Sequence, residues 1–262
     1  MYDFTYHKPG SLDEVQSILK QADDGAVLAG GQTLIPTLKQ RLASPSDVVD
    51  LAGLNHAGIA VSGGELTIKA GTTHAEVAAS SEVQKAIPAL AHLAGVIGDP
   101  HVRHCGTIGG SVANNDPAAD YPAACLGLGA VIKTTSREIA ADDFFQGLFE
   151  TALEDGEIIT SVSFPVPKRA GYAKFPNPAS RYALVGVMVA QTNDGVRVAV
   201  TGAGPGVFRQ ADMEQALSGD FSAVALDGIV VSADGLNSDI HANADYRAHL
   251  VGVMAKRAVE AA

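Results

Sequence analysis

Two pairs of adjacent glycines constrain this chain more than any other feature of its sequence. The first lies in Ala29-Gly30-Gly31-Gln32-Thr33, after a short apolar strand over Ala26 to Ala29 and before a helix from Leu34 to about Leu42. The second is Thr107-Ile108-Gly109-Gly110-Ser111, inside a glycine-rich strand–loop passage from Val102 to Val112. Without a Cβ, paired glycines let the backbone come close to a ligand and point successive N–H groups at it. Neither segment carries a charged side chain, and the start of the Leu34 helix adds a partial positive charge of roughly half a unit. A diphosphate is the kind of anion such neutral donors suit. Taken singly, each segment also reads as a plain turn. The pairing, with hydroxyls at Thr33, Thr107 and Ser111, strengthens the ligand reading.

The surrounding sequence predicts an α+β fold. Ser11-Leu12-Asp13-Glu14 is a capping box that starts a helix with Leu12, Val15, Ile18 and Leu19 on one face. Pro36 fits near the first turn of the Leu34 helix, where a missing N–H costs little. Val48 to Leu51 and Glu65 to Ala70 read as strands, and His74 to about Ile97 as a long helical stretch broken at Pro88. A short helix over Pro122 to Leu128, a strand over Ala130 to Lys133, an aromatic cluster at Phe144, Phe145 and Phe149, and a strand over Ile158 to Phe164 follow. Pro165 to Gly171 is the best linker candidate. Beyond it, Ala183 to Gln191 and Val196 to Thr201 form a hairpin through Asn193-Asp194-Gly195, and helices cover Gln210 to Leu217 and Tyr246 to Ala261.

Charge and motif content exclude several functions. A net charge of −11 argues against nucleic acid or an anionic membrane as partner, since both need a basic surface. No apolar run approaches the roughly 20 residues of a bilayer span, and the N-terminus lacks the pattern of a signal peptide. Two cysteines, Cys105 and Cys125, make no disulfide framework and cannot alone hold a 2Fe-2S cluster. A reducing, cytoplasmic home is the simplest expectation. His101, His104 and Cys105 lack the further ligands a structural metal site needs. Thr201-Gly202-Ala203-Gly204-Pro205-Gly206 imitates a dinucleotide fingerprint, but its third glycine position falls on Val207 and Pro205 removes an N–H. No hydrolase motif is present.

Three segments resemble one known family: Leu28 to Arg41, Gly98-Asp99-Pro100-His101-Val102-Arg103, and Thr107 to Asp120. They look like the FAD-binding medium subunit of carbon monoxide dehydrogenase and related molybdenum hydroxylases of the xanthine dehydrogenase family. Glu157 to Pro165, Tyr172 to Phe175 and Tyr246 to Arg257 continue the match in collinear order. Position 101 is His where such sequences often carry Gln, and the chain is somewhat short between Ala203 and Asn237.

The resemblance implies a vanillyl-alcohol-oxidase-like (PCMH-type) FAD-binding domain over residues 1–167, with subdomains of about 1–52 and 53–167, and a small C-terminal α+β domain over 172–262. Ala29, Gly30, Gly31, Gln32, Thr33 and Leu34, with Thr107, Ile108, Gly109, Gly110 and Ser111, would cradle the FAD diphosphate. Asp120 would serve the adenosine side, Ile97 and Ile159 would touch the cofactor, and Lys174 would sit near the flavin end. Asp120 also reads as a helix cap, Ile97 and Ile159 as core, and Lys174 as a solvated side chain. The partners implied are a large molybdopterin-binding subunit and a small subunit with two 2Fe-2S clusters, as a dimer of heterotrimers. No residue of this chain is expected to act on the organic substrate. The rival expectation is a stand-alone flavin oxidase with FAD linked covalently through His74, His101 or His104; a scaffold without cofactor is a third.

Overall fold

The computed structural model describes all 262 residues. Its first unit holds β1 (Thr5–His7), α1 (Leu12–Gln21), β2 (Gly25–Leu28), α2 (Leu34–Lys39) and β3 (Asp47–Asp50). The strands form a parallel sheet in the order β1-β3-β2. Ser11 caps α1 by accepting the Glu14 amide, as expected, whereas the Glu14 carboxylate reaches one residue further back, to the Gly10 amide. Val15 of α1 packs on Val49 of β3 and on Ile158 from the next unit, so this small layer is anchored to its neighbour. Helix α2 stops at Lys39, short of the expected Leu42, and Arg41 adopts a positive φ of 61°.

The second unit begins with β4 (Ile59–Ser62) and β5 (Glu65–Lys69). Six helices follow: α3 (His74–Ala79), α4 (Ser81–Ala86), α5 (Pro88–Gly95), α6 (Pro100–Cys105), α7 (Ile108–Asn114) and α8 (Tyr121–Leu128). Strands β6 (Val131–Thr134) and β7 (Glu138–Ala140), helix α9 (Ala141–Phe144), the small pair β8 (Phe145–Gly147) and β9 (Glu150–Thr151), and β10 (Ile159–Pro165) complete it. The main sheet is antiparallel in the order β4-β5-β10-β6-β7.

Two expectations are corrected here. The stretch from His74 is three helices, because extended backbone at Ser80 ends α3 and caps α4, and Ile87 leaves helical geometry before Pro88. The passage from Val102 to Val112 is also largely helical. Asp99 caps α6 with Pro100 in its first turn, and Thr107 caps α7, so two good helix starts override the glycine content.

The third unit comprises β11 (Arg169–Pro176), β12 (Ala183–Gln191), β13 (Val196–Thr201), β14 (Phe208–Arg209), α10 (Ala211–Gly219) and α11 (Ala244–Glu260), with an antiparallel sheet in that strand order. The β12–β13 turn falls where the Asp-Gly signal placed it. The expected linker is shorter, since β10 runs through Pro165 and β11 starts at Arg169. Strand β12 is buried on both faces. Val185, Val187 and Val189 join Val251, Met254 and Ala258 of α11 in one core, while Met188 and Ala190 join Leu90, Tyr121 and Leu128 in the core of the second unit. One strand thus belongs to two cores, and β11 beside it packs against α5.

Candidate cofactor site

The first glycine turn connects β2 to α2, with Gly31 at φ +71°. No acceptor within the chain takes the backbone N–H of Ala29, Gly30, Gly31, Gln32, Thr33 or Leu34. The turn's carbonyls are used: Gly31 and Thr33 accept from Ile35 and Thr37 at 3.1 and 3.2 Å, and Gly30 accepts from the Gln32 side chain at 3.2 Å. The Thr33 hydroxyl makes no cap bond. Six successive amide donors on a partly exposed turn therefore have only solvent or a ligand to bind. Because α2 is six residues long, these donors matter more than any helix-end charge.

The second glycine pair opens α7, and its amides are already committed. Ile108 donates to the Thr72 carbonyl at 3.0 Å, Gly109 to Ala70 at 2.9 Å, Gly110 to the Thr107 hydroxyl at 3.1 Å, and Ser111 to the Thr107 carbonyl at 3.0 Å. Only the Thr107 amide in this segment lacks a partner in the chain. These glycines serve close packing. A Cβ at Gly109 would lie 2.5 Å from that of Ala70, and one at Gly110 would rest 3.7 Å from that of Ala29. From the other side, a Cβ at Gly30 would run into the Cys105 carbonyl and lie 2.7 Å from the Gly106 Cα. The two turns therefore converge as expected, with unequal roles: the first presents donors and the second is a backing surface.

Asp120 stands at the start of α8 but does not cap it. Its carboxylate accepts the Tyr172 hydroxyl at 2.5 Å and the Lys174 ammonium at 3.0 Å. Lys174 also donates to the Val96 carbonyl at 2.8 Å, and the Lys174 and Asp120 side chains are 5% and 4% exposed. Burial pushes the Asp120 carboxyl up, and Lys174 and Tyr172 pull it back toward ionisation. Asp120 and Lys174, which the resemblance implies for the adenosine side and the flavin end, thus lie in one buried cluster.

Ile97 is half-buried, and its carbonyl, with that of Gly98, accepts from the Arg103 guanidinium at 2.9 and 3.1 Å. Arg103 thus fixes the loop before α6. Ile159 is a core residue of β10, 4% exposed, whose carbonyl is bonded to buried His56. Of the histidines considered, His101 and His104 are exposed on α6. His74 is buried at the start of α3 with Nδ1 unpartnered, and burial, with the Arg103 charge, lowers its pKa to about 4.

One residue escaped the sequence reading. Tyr172 was findable, since it stands two positions before Lys174 in a strand and so shares its face.

This geometry meets the requirements of a diphosphate-bearing flavin: a bare row of amides with a glycine-tight wall behind it. Residues 2–167 match the family of the FAD binding domain in molybdopterin dehydrogenase, and the chain belongs to that family. Residues 170–262 match the CO dehydrogenase flavoprotein C-terminal domain. The chain is 35% identical to the carbon monoxide dehydrogenase medium chain of Afipia carboxidovorans, covering 99% of this chain and 96% of that one. It is 34% identical to the nicotine 6-hydroxylase medium subunit of Paenarthrobacter nicotinovorans, over 97% and 95%. Among solved structures, a Cu,Mo-CO dehydrogenase in its cyanide-inactivated form superposes with a TM-score of 0.92 at 33% identity, over 100% and 98%. Quinoline 2-oxidoreductase from Pseudomonas putida 86 gives 0.89 at 30%, over 98% and 96%.

Proposed function

We propose that this chain is the FAD-carrying medium subunit of a cytoplasmic molybdenum hydroxylase. It receives electrons from 2Fe-2S clusters on a small partner subunit and delivers them to an external acceptor, while a large molybdopterin-binding subunit oxidises the organic substrate. The assembly is a dimer of heterotrimers, in which residues 1–167 carry the cofactor and 172–262 form the C-terminal domain. Bound FAD supplies the exchange between one- and two-electron steps. The amides of Ala29 to Leu34, with that of Thr107, hold the diphosphate. The wall formed by Cys105, Gly106 and Gly110 fixes the spacing of that turn. Lys174 offers a positive charge to the ring system where negative charge accumulates on reduction.

The six unpartnered amides carry this reading. No helix of the chain is long and apolar enough to cross a membrane. Purified protein should be yellow, and acid precipitation should leave the flavin in the supernatant. Colourless protein that takes up no added FAD overturns the proposal, whereas flavin retained in the pellet would assign a covalent oxidase.

A further inference from the structure

Lys174 carries three N–H donors. Two are taken, by the Val96 carbonyl at the end of α5 and by Asp120 at the start of α8. One remains, and its direction is set by the other two. The Val96 carbonyl is fixed by the backbone. Asp120 is a side chain that could rotate, and the Tyr172 hydroxyl, 2.5 Å away, is the group besides Lys174 that donates to its carboxylate. Tyr172 and Asp120 are 2% and 4% exposed, so no bulk water can replace that bond. The neighbouring strand is shaped around the phenol. Gly186 of β12 lies opposite Lys174, and a Cβ there would run into the Tyr172 hydroxyl.

We infer that Tyr172 is a positioning residue of the flavin site. By fixing the Asp120 carboxylate, it holds the Lys174 ammonium on one bearing, so that the spare N–H meets the bound cofactor. The inference rests on the flavoprotein reading above and deepens it. Tyr172 touches no reacting atom and acts through Asp120 and Lys174.

The test compares full-length wild type, Y172F, K174Q and the double variant, each depleted of FAD and titrated with FAD by fluorescence. Melting temperatures of the cofactor-free proteins are taken alongside. Y172F should weaken FAD binding roughly tenfold, the order expected for one lost hydrogen bond to a charged group. It should add less than about twofold once K174Q is present, because coupled residues are not additive. Equal weakening with and without Lys174 would reduce Tyr172 to a packing role and overturn the inference, as would Y172F binding like wild type. If K174Q takes up no FAD, the midpoint potential of flavin bound to Y172F decides: a displaced value supports the inference and an unchanged one overturns it. If Y172F does not fold, G186A, which displaces the phenol from the opposite strand, is judged by the same criteria. Wild type that binds no FAD would sink the flavoprotein reading itself, an outcome distinct from all of these.

Discussion

A methyl group on Gly30 would occupy the space of the Cys105 carbonyl oxygen. The first cofactor turn is therefore packed backbone to backbone against the end of α6, and its donors are held in place by that contact. G30A should force the turns apart, at about 1–3 kcal/mol for an overpacked site, and should abolish detectable FAD uptake. G10A, where a Cβ meets nothing within 4 Å, is the control and should retain both stability and flavin. Thermal melts and flavin absorbance check the pair.

The two glycines of α7 should respond differently. At Gly109 a Cβ meets the Ala70 backbone and side chain at 2.5–3.0 Å, and neither can move without distorting β5. G109A is expected to cost roughly 1–3 kcal/mol, or roughly 2–6 °C in melting temperature for a chain of this size. At Gly110 the nearest atom is the Thr107 hydroxyl at 3.0 Å, so G110A should cost much less. Equal losses in differential scanning calorimetry would refute the close packing of Gly109 on Ala70 as the reason for glycine there.

How much of this was legible in the sequence depended on the range of the physics involved. The Gly30-Gly31 turn, the Asp194-Gly195 hairpin and the Ser11 cap are local, and each was read in place. Gly109 and Gly110 read from the sequence as amides offered to a ligand, whereas they pack on Ala70 and Ala29, which are distant in sequence and give no local signal. The same holds for Asp120. Its two partners lie in β11, more than fifty residues on, and a nearby helix start offered a local role that the fold does not use. Ile159, implied only by the resemblance, is a buried residue of β10, a placement that no local signal in the sequence announces.

His74 gives the chain an acid-side sensitivity. Burial first, and then the Arg103 charge, hold its folded pKa near 4, against an ordinary value of 6.5. The unfolded chain thus binds a proton that the folded chain refuses. Stability should fall as pH drops from about 6.5 and level off below about 4, by at most about 3 kcal/mol. In H74Q, urea midpoints across this range should show a flatter decline; an identical slope would remove His74 from the account.

Glu157 contributes with a different window. Burial raises its carboxyl, but bonds from Arg137 and Thr134 and from the Glu154 amide outweigh that and leave the pKa below its ordinary value of 4.5. Its stabilisation is present above pH 4.5 and is lost as pH falls through the lowered folded value. E157Q should melt earlier than wild type at pH 7, and the gap should close toward pH 3. A gap that persists at acid pH would point to packing in place of charge.

On the proposed reading, the bare turn from Ala29 to Leu34 also governs how the cofactor arrives. Because those amides have no bonds to surrender inside the protein, FAD bound there would displace only solvent. Loading is then an exchange of solvent on a ready-made surface, and β2 and α2 can keep their conformation throughout. Empty and loaded chains should accordingly differ little in backbone structure, and a newly synthesised subunit can fold first and collect its flavin afterwards.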